Sequence, residues 1–477
     1  MKKWIKFIIL ILTTAIILFL CERVLLLKSE DGIEQIESFY LQKDNTVDAL
    51  FMGNSHTYCN INTGVLWDEY GIAGYNLGGA EQPYWNTYYY LKEALKTQRP
   101  QVIMLEISAV GINPTDYQPE NWLICNTYGM KWNANKIAAL KASVYEDYLS
   151  RLAIPMNSIH SRYDELTRED FTDPNRTISN KGFDPREGVR SFNRPDVSGV
   201  TEMTAISQKS EKYLLKIIEL TKEEEIPLVI FTAPYVVTED SQKVYNYVFN
   251  IAEENQIPCV DFNQQYDAIG LDFTTDMADN LHLNRDGNAK FSKYLGNYLV
   301  EQYGVPDRRG MEDYASWDED ALNQRQDNAA YTLRTTGDFG EYLKLIANEN
   351  YLSFVFTGYN MDDMEIDAQI VEMMQAAGIG ASGIMNGQSI LLGGKDIWDY
   401  TDIEEFEWVL EDQKSHLMCC REKNQHGDRF IKVFVGDKQY DLKNEGVSIL
   451  VYDRQLDRVV DNVNVDTQNQ YSMTRLQ

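Results

Sequence analysis

The chain has 477 residues, enough for two or three domains of ordinary size. With 44% hydrophobic and 25% charged residues it reads as globular rather than disordered. Its formal net charge of -29 argues against nucleic acid as a partner, and against broad contact with anionic lipid, because both need a basic surface.

The first element is apolar. Lys2, Lys3 and Lys6 precede residues 7–20, which lack charge, and Trp4, Ile5 and residues 24–27 extend the run. A stretch of about 20 apolar residues suffices to cross a bilayer. Lysines on its leading side favour a cytoplasmic N-terminus. No small-residue cleavage site follows, so residues 1–30 read as an uncleaved, single-pass signal anchor. The bulk of the chain is then expected outside the cell membrane. The six cysteines, Cys21, Cys59, Cys125, Cys259, Cys419 and Cys420, show no zinc spacing and read as mostly free thiols. No metal or cofactor site is expected.

Residues 28–43 read as an amphipathic helix after the anchor. The run Val47 to Met52 ends in Gly53, which predicts a buried strand and a turn. Residues 82–96 predict a helix, and residues 102–105 a second buried strand. Residues 113–201 lack strand signals and predict a helical and looped insertion over the functional face. Alternation then returns: helix 207–222, strand 227–232, helix 240–255, strand 258–262 and helix 287–303. Strands alternating with helices imply a three-layer α/β/α unit with a parallel sheet, over residues 31–306. Residues 307–337 read as a linker containing a helix. Residues 338–477 read as a smaller, mostly β, α+β domain, with strands at 351–357, 389–392, 429–435 and 447–452 and a helix at 363–377.

Two segments carry chemistry. Ser55 follows the first strand directly, in Gly53-Asn54-Ser55-His56, where a turn can present its hydroxyl at the carboxyl edge of a parallel sheet. Asp279 and His282 lie three residues apart, just before the last helix of the α/β unit. One short turn can thus supply a general base and the carboxylate that orients it. Of five histidines, only His282 has a carboxylate at this spacing in the right part of the fold.

Together these segments resemble the SGNH/GDSL hydrolase family: Gly53 to His56 its first block, and Asp279-x-x-His282 its last. More narrowly, residues 45–303 resemble the membrane-anchored extracellular branch that acts in teichoic acid D-alanylation and polysaccharide O-acetylation. The resemblance implies a Ser55, His282, Asp279 triad. It also implies serine-dependent transfer of an acyl group, most simply acetyl, to or from an extracellular polysaccharide, without a cofactor. A membrane-bound acyl exporter is the implied partner. In Asn76-Leu77-Gly78-Gly79, Gly78 or Gly79 matches the block that supplies an oxyanion donor beside the Ser55 N–H. The sequence departs from the family in two places. Asn54 replaces an aspartate, and Glu106-Ile107-Ser108 stands where the family has its Gly-x-Asn-Asp block. Asn54 and Glu106 are accordingly candidates for substrate or oxyanion positioning. A carbohydrate deacetylase and a non-catalytic glycan-binding scaffold are the alternatives.

In the last domain, Gly446 to Asp453, Val459-Val460-Asp461 and Asn464 to Thr467 resemble the interleukin-like EMT inducer family. That resemblance implies an accessory role, with carbohydrate binding inferred by analogy.

Overall fold

The computed structural model describes residues 2–25, 31–112, 116–117, 119–144, 160–164, 166, 170–171, 180–348, 350–357, 373, 389–393, 396–400, 405–409, 416–423, 429–436, 438–443, 446–467 and 469–476. The chain forms two compact units, Met1–Leu322 and Asn323–Gln477.

The first unit begins with helix α1 (Lys2–Leu25). Its segment Trp4–Leu25 is long and apolar enough to cross a bilayer. Helix α2 (Ile33–Phe39) is shorter than the sequence suggests. It starts at Gly32, whose φ is 137° and where a side chain would strike the Cys125 carbonyl and the Gly79 backbone. Then follow β1 (Ala49–Gly53), α3 (Ser55–Asn60), α4 (Thr63–Tyr70), β2 (Gly74–Gly78), α5 (Tyr84–Ala94), β3 (Val102–Glu106) and α6 (Ser108–Ile112). Helices α7 (Glu120–Thr127) and α8 (Ala134–Ser143) lie in the expected insertion, whose described residues contain no strand. The second half of the unit is α9 (Gln208–Glu223), β4 (Leu228–Thr232), α10 (Glu239–Glu254), β5 (Cys259–Asp261), α11 (Tyr266–Ile269) and α12 (Arg285–Tyr303).

The five strands form one parallel sheet in the order β2-β1-β3-β4-β5. Side chains alternate across it as strand geometry requires. Leu50, Met52, Ile103, Leu105 and Ile230 face a core built with α2, α5, α9 and α10. Ala49, Phe51, Met104, Val229 and Phe231 face a second core with Leu66 of α4 and Phe291, Leu295 and Leu299 of α12. Both faces are therefore covered, as a parallel sheet needs, and the buried strands β1, β3 and β4 read as apolar runs. The strand order reverses between β1 and β3. In open α/β sheets the crevice for ligands opens at the carboxyl ends beside such a switch point.

The segment expected as a linker is instead partly built into this unit. Arg308 makes a two-pronged ion pair with Asp48, at 2.8 and 2.9 Å. Trp317, at the start of helix α13 (Ala315–Thr335), packs at 6.3 Å from Trp67, and the Trp67 indole donates to Asp318. Burial of aromatic surface, invisible in a polar stretch, holds this segment against the α/β layers.

The second unit contains α14 (Phe339–Ile346) and two antiparallel sheets. Its strands are β6 (Tyr351–Thr357), β7 (Ser389–Gly393), β8 (Asp396–Tyr400), β9 (Glu405–Val409), β10 (His416–Lys423), β11 (Arg429–Val435), β12 (Lys438–Tyr440), β13 (Val447–Asp453), β14 (Arg458–Asp466) and β15 (Ser472–Arg475). The sheet orders are β15-β14-β13-β6-β7-β8 and β12-β11-β10-β9. Phe339, Tyr342, Leu343 and Ile346 of α14 pack on Val447, Ile449, Val451, Val463 and Val465. The helix expected over 363–377 lies outside the described residues, Met373 excepted.

The Arg308–Asp48 pair leads to a prediction. Asp48 is buried, so Arg308→Ala leaves a carboxylate without its cation. The α/β unit is expected to lose roughly 3 kcal/mol of stability, read from its denaturant midpoint.

Candidate active site

The site is assembled at the switch point. β1 ends at Gly53, whose φ is 151°. A side chain there would come within 2.7 Å of Thr57 Oγ1 and 2.8 Å of Glu106 Cβ. Only glycine allows the chain to turn so tightly between β3 and the new helix. Asn54 is the N-cap of α3, and its Oδ1 accepts the His56 N–H at 3.0 Å. Ser55 is the first residue of that helix. Its own N–H has no hydrogen-bond acceptor among the described residues.

The base arrives from the turn before α12. Met277 and Leu283 form an antiparallel bridge, and the Ala278 N–H donates to the His282 carbonyl at 3.0 Å. This closes a short loop around Asp279. The Asp279 carboxylate accepts the backbone N–H of Leu281 and of His282, at 2.7 and 2.9 Å. It also lies 3.0 and 3.1 Å from His282 Nδ1. His282 Nε2 stands 2.8 Å from Ser55 Oγ. Ser55, His282 and Asp279 are thus brought into one chain of hydrogen bonds. Burial alone would raise the Asp279 carboxyl. The hydrogen bond and charge of His282, with the two backbone N–H groups, outweigh it and hold the carboxyl down at about 2. Asp279 therefore stays ionised through the neutral range, fixing the imidazole with Nδ1–H toward the carboxylate and Nε2 free to take a proton.

Three further positions, Asn60 without any mark in the sequence, hold this arrangement. Asn60, fully buried at the end of α3, accepts the Leu283 N–H at 3.0 Å and so ties the nucleophile's helix to the histidine loop. Asp276 accepts the Asp272 N–H and the Lys290 ammonium, both at 2.7 Å, anchoring the loop to α12. Asn284 caps α12 through the Asp286 and Gly287 N–H groups. A polar residue in a helix of six residues gives no local signal of its partner more than 200 positions away.

The remaining candidates lie in the same place with different surroundings. Glu106 ends β3 and is 1% exposed. Its carboxylate receives the Ser108 hydroxyl at 2.8 Å, the Ser108 N–H at 3.0 and 3.1 Å and the Ala233 N–H at 3.3 Å. It is enclosed by protein rather than open to a substrate. Asn54 Nδ2 donates to the Ser108 hydroxyl at 3.0 Å, so Asn54 and Glu106 grip the same serine from two sides. Gly78 pairs with Gly53 across the sheet, and its missing Cβ leaves room for the Gly53 carbonyl. The Gly79 N–H points to that carbonyl at 3.3 Å and is occupied there. Among the described residues, the Ser55 N–H is thus an open donor at the site.

Burial pushes the Glu106 carboxyl up to about 7, against the pull of the Ser108 and Ala233 donors. His56, fully buried beside it, is held well below the usual histidine range, first by burial and then by the nearby His282. At 3.9 Å from Glu106, its imidazole is therefore neutral and the two do not form an ion pair.

No family model and no curated protein matches the chain. Among solved structures it is similar to a provisionally named acylhydrolase from Bacteroides fragilis NCTC 9343, at 12% identity and a TM-score of 0.27, over 55% of this chain and 91% of that one. It is similar to a provisionally named GDSL-like lipase from Parabacteroides merdae ATCC 43184, at 14% identity and a TM-score of 0.26, over 55% and 98%. A gut microbial diltiazem-metabolizing enzyme matches at 14% identity and a TM-score of 0.28, over 55% of this chain and 47% of that one, so the match spans about half its length. Likeness at this level assigns no activity, which is read from the site.

Two outcomes follow from the site. Asn60→Ala frees the histidine loop from α3, and a displacement near 1 Å at a reacting group costs about 100-fold in rate. It is expected to lower kcat of ester hydrolysis to that order while the protein stays folded by circular dichroism. Glu106 carries a folded pKa raised from 4.5 to about 7. Its stabilising contribution is present in full below pH 4.5 and is lost as pH rises through 7, a change of roughly 3 kcal/mol. Glu106→Gln should remove that slope from the unfolding free energy measured between these two pH values.

Proposed function

We propose that this chain is a serine acyl-transferring enzyme of SGNH/GDSL type, anchored by α1 and working on the outer face of the cell membrane. The observation that carries the reading is the unbroken relay from Asp279 through His282 to Ser55 Oγ. In the first half-reaction His282 Nε2 takes the Ser55 proton, and Oγ attacks the acyl carbonyl. The oxyanion forms at the Ser55 N–H. As the intermediate collapses, His282 returns the proton to the leaving alkoxide, and an acyl-serine remains. In the second half-reaction His282 deprotonates water or a sugar hydroxyl, whose oxygen attacks the acyl carbon, and Ser55 leaves with the proton.

Transfer to a polysaccharide hydroxyl is favoured over hydrolysis, with acetyl as the group. An anchored enzyme gains proximity to a membrane-borne donor, such as an acyl exporter, which a freely diffusing esterase has no need of. The second unit, by its resemblance to interleukin-like EMT inducer domains, would hold the glycan.

Treatment with a fluorophosphonate is the direct test. Wild type is expected to label at Ser55, while Ser55→Ala gives none and His282→Ala loses at least 1,000-fold in labelling rate, on the order of what removing one triad member costs. An acetyl ester donor added with glycan acceptors then separates the routes. Acetylated glycan identifies transfer, and free acetate alone identifies the esterase. A folded wild type that never labels would favour a glycan-binding scaffold.

A further inference from the structure

The end of α1 does not hang free of the α/β unit. Leu25 packs against Ile33, Ile124 and Tyr128. The Arg162 guanidinium donates to the Val24 and Leu25 carbonyls, at 3.3 and 3.4 Å, and pairs with Asp170 at 2.8 Å. The residues next to that pair, Tyr163 and Phe171, are 71% and 61% exposed. Lys136, itself buried, donates to the Tyr128 carbonyl and lies 4.6 Å from the ring of Trp132, which is 55% exposed. The end of the apolar helix is thus held by Arg162, next to Tyr163, and by Tyr128, whose carbonyl is bound by the Lys136 that lies against Trp132. Exposed aromatic rings near the end of a spanning helix are the chemistry of a membrane–water interface, where the ring is half solvated.

The same collar adjoins the catalytic loop. Ile124, which meets the Leu25 cluster, and Asn126 stand two residues apart on α7, about 200° around its axis. Asn126 faces the other way: its Oδ1 lies 2.3 Å from where a Gly79 Cβ would be, and its amide donates to the Ala80 carbonyl at 2.7 Å. One helix, about 10–12 Å across, separates the end of α1 from the loop beside Ser55. The link is doubled by Asp31, whose carbonyl accepts the Ala80 N–H at 2.7 Å and whose carboxylate accepts the Tyr58 hydroxyl of α3 at 3.0 Å.

We propose that the face carrying Trp132, Tyr163 and Phe171 is seated on the bilayer beside α1, so that Ser55 works on acyl groups presented at the membrane surface. The partner is lipid, reached through aromatic and amphipathic side chains and not through net charge. With a charge of -29 the chain has no use for an anionic surface, and neutral phospholipid suffices. The part concerning Ser55 rests on the proposed acyl transfer; the seat on the membrane does not.

The test uses the full chain in phosphatidylcholine vesicles. A photoreactive benzoyl-phenylalanine is placed at Trp132, Tyr163 or Phe171, or at Glu223 by the amino ends of the strands as reference. Lipid adducts at the three collar positions, at least tenfold above Glu223, are expected. Adducts no more frequent than at Glu223, or adducts to protein in place of lipid, would overturn the proposal. The double variant Tyr163→Ser, Phe171→Ser should cleave a vesicle-borne acetyl ester about tenfold more slowly and soluble p-nitrophenyl acetate at the wild-type rate. Equal rates on the vesicle-borne ester would overturn it. Fluorophosphonate labelling of Ser55, measured beside these, tells the two readings apart. Adducts without labelling leave the membrane seat standing and remove the enzyme, and labelling without adducts does the reverse.

Discussion

The site depends on one turn of backbone. β1 must stop, reverse its carbonyl direction and start α3 within two residues, while β3 lies against it. Gly53 makes this possible because nothing larger than hydrogen fits between Thr57 and Glu106. Once that turn is set, Asn54 falls at the cap and Ser55 at the first helical position, with its N–H unspent and its hydroxyl at the sheet edge. Everything else at the site is arranged to meet this point. The histidine loop is hung from α12 through Asp276 and Lys290 and stitched to α3 through Asn60. The preorganisation is thus a matter of hydrogen bonds holding two loops from opposite ends of the unit.

Much of the α/β unit is legible in the amino-acid sequence. The strands at β1, β3 and β4 are short buried apolar runs next to turn residues, and the partly exposed edge strand β5 is marked by the run after Pro258. The amphipathic α9 and α10 are readable for the same reason. β2 is not, because Gly74-Tyr75-Asn76-Leu77-Gly78 is polar and glycine-rich for a strand. It is a strand because β1 is there to pair with it, and its glycines are needed where Gly53 and Phe51 approach. At the site, Ser55, His282 and Asp279 are visible as candidates because each sits in a short local pattern, and the fold brings them into one chain of hydrogen bonds. Asn60 and Ser108 are not, since their meaning lies in partners distant in the chain. Glu106 is visible as a candidate, but only its neighbours show that it serves the interior.

The mostly β unit is legible only in its most apolar strands. β13 is buried along its whole length and stands out in the sequence. β10 and β14 carry charged and amide residues, and β12 and β15 are short edge strands. Such strands are specified by pairing with their neighbours more than by their own composition. The polar run that precedes them misleads in the opposite sense, since Trp317 and Arg308 turn much of a presumed connector into a packed part of the α/β unit.

Asn54 has an electrical meaning. An aspartate there would set a second carboxylate against the Ser108 hydroxyl, opposite Glu106 and one residue from Ser55. With asparagine, the Asn54–Ser108–Glu106 cluster is neutral as long as Glu106 keeps its proton, up to about pH 7. Above that, the cluster gains one negative charge, two hydrogen bonds from the turn that carries Ser55. A single internal proton thus sets the charge beneath Ser55, and the folding free energy that depends on it is lost between pH 4.5 and about 7.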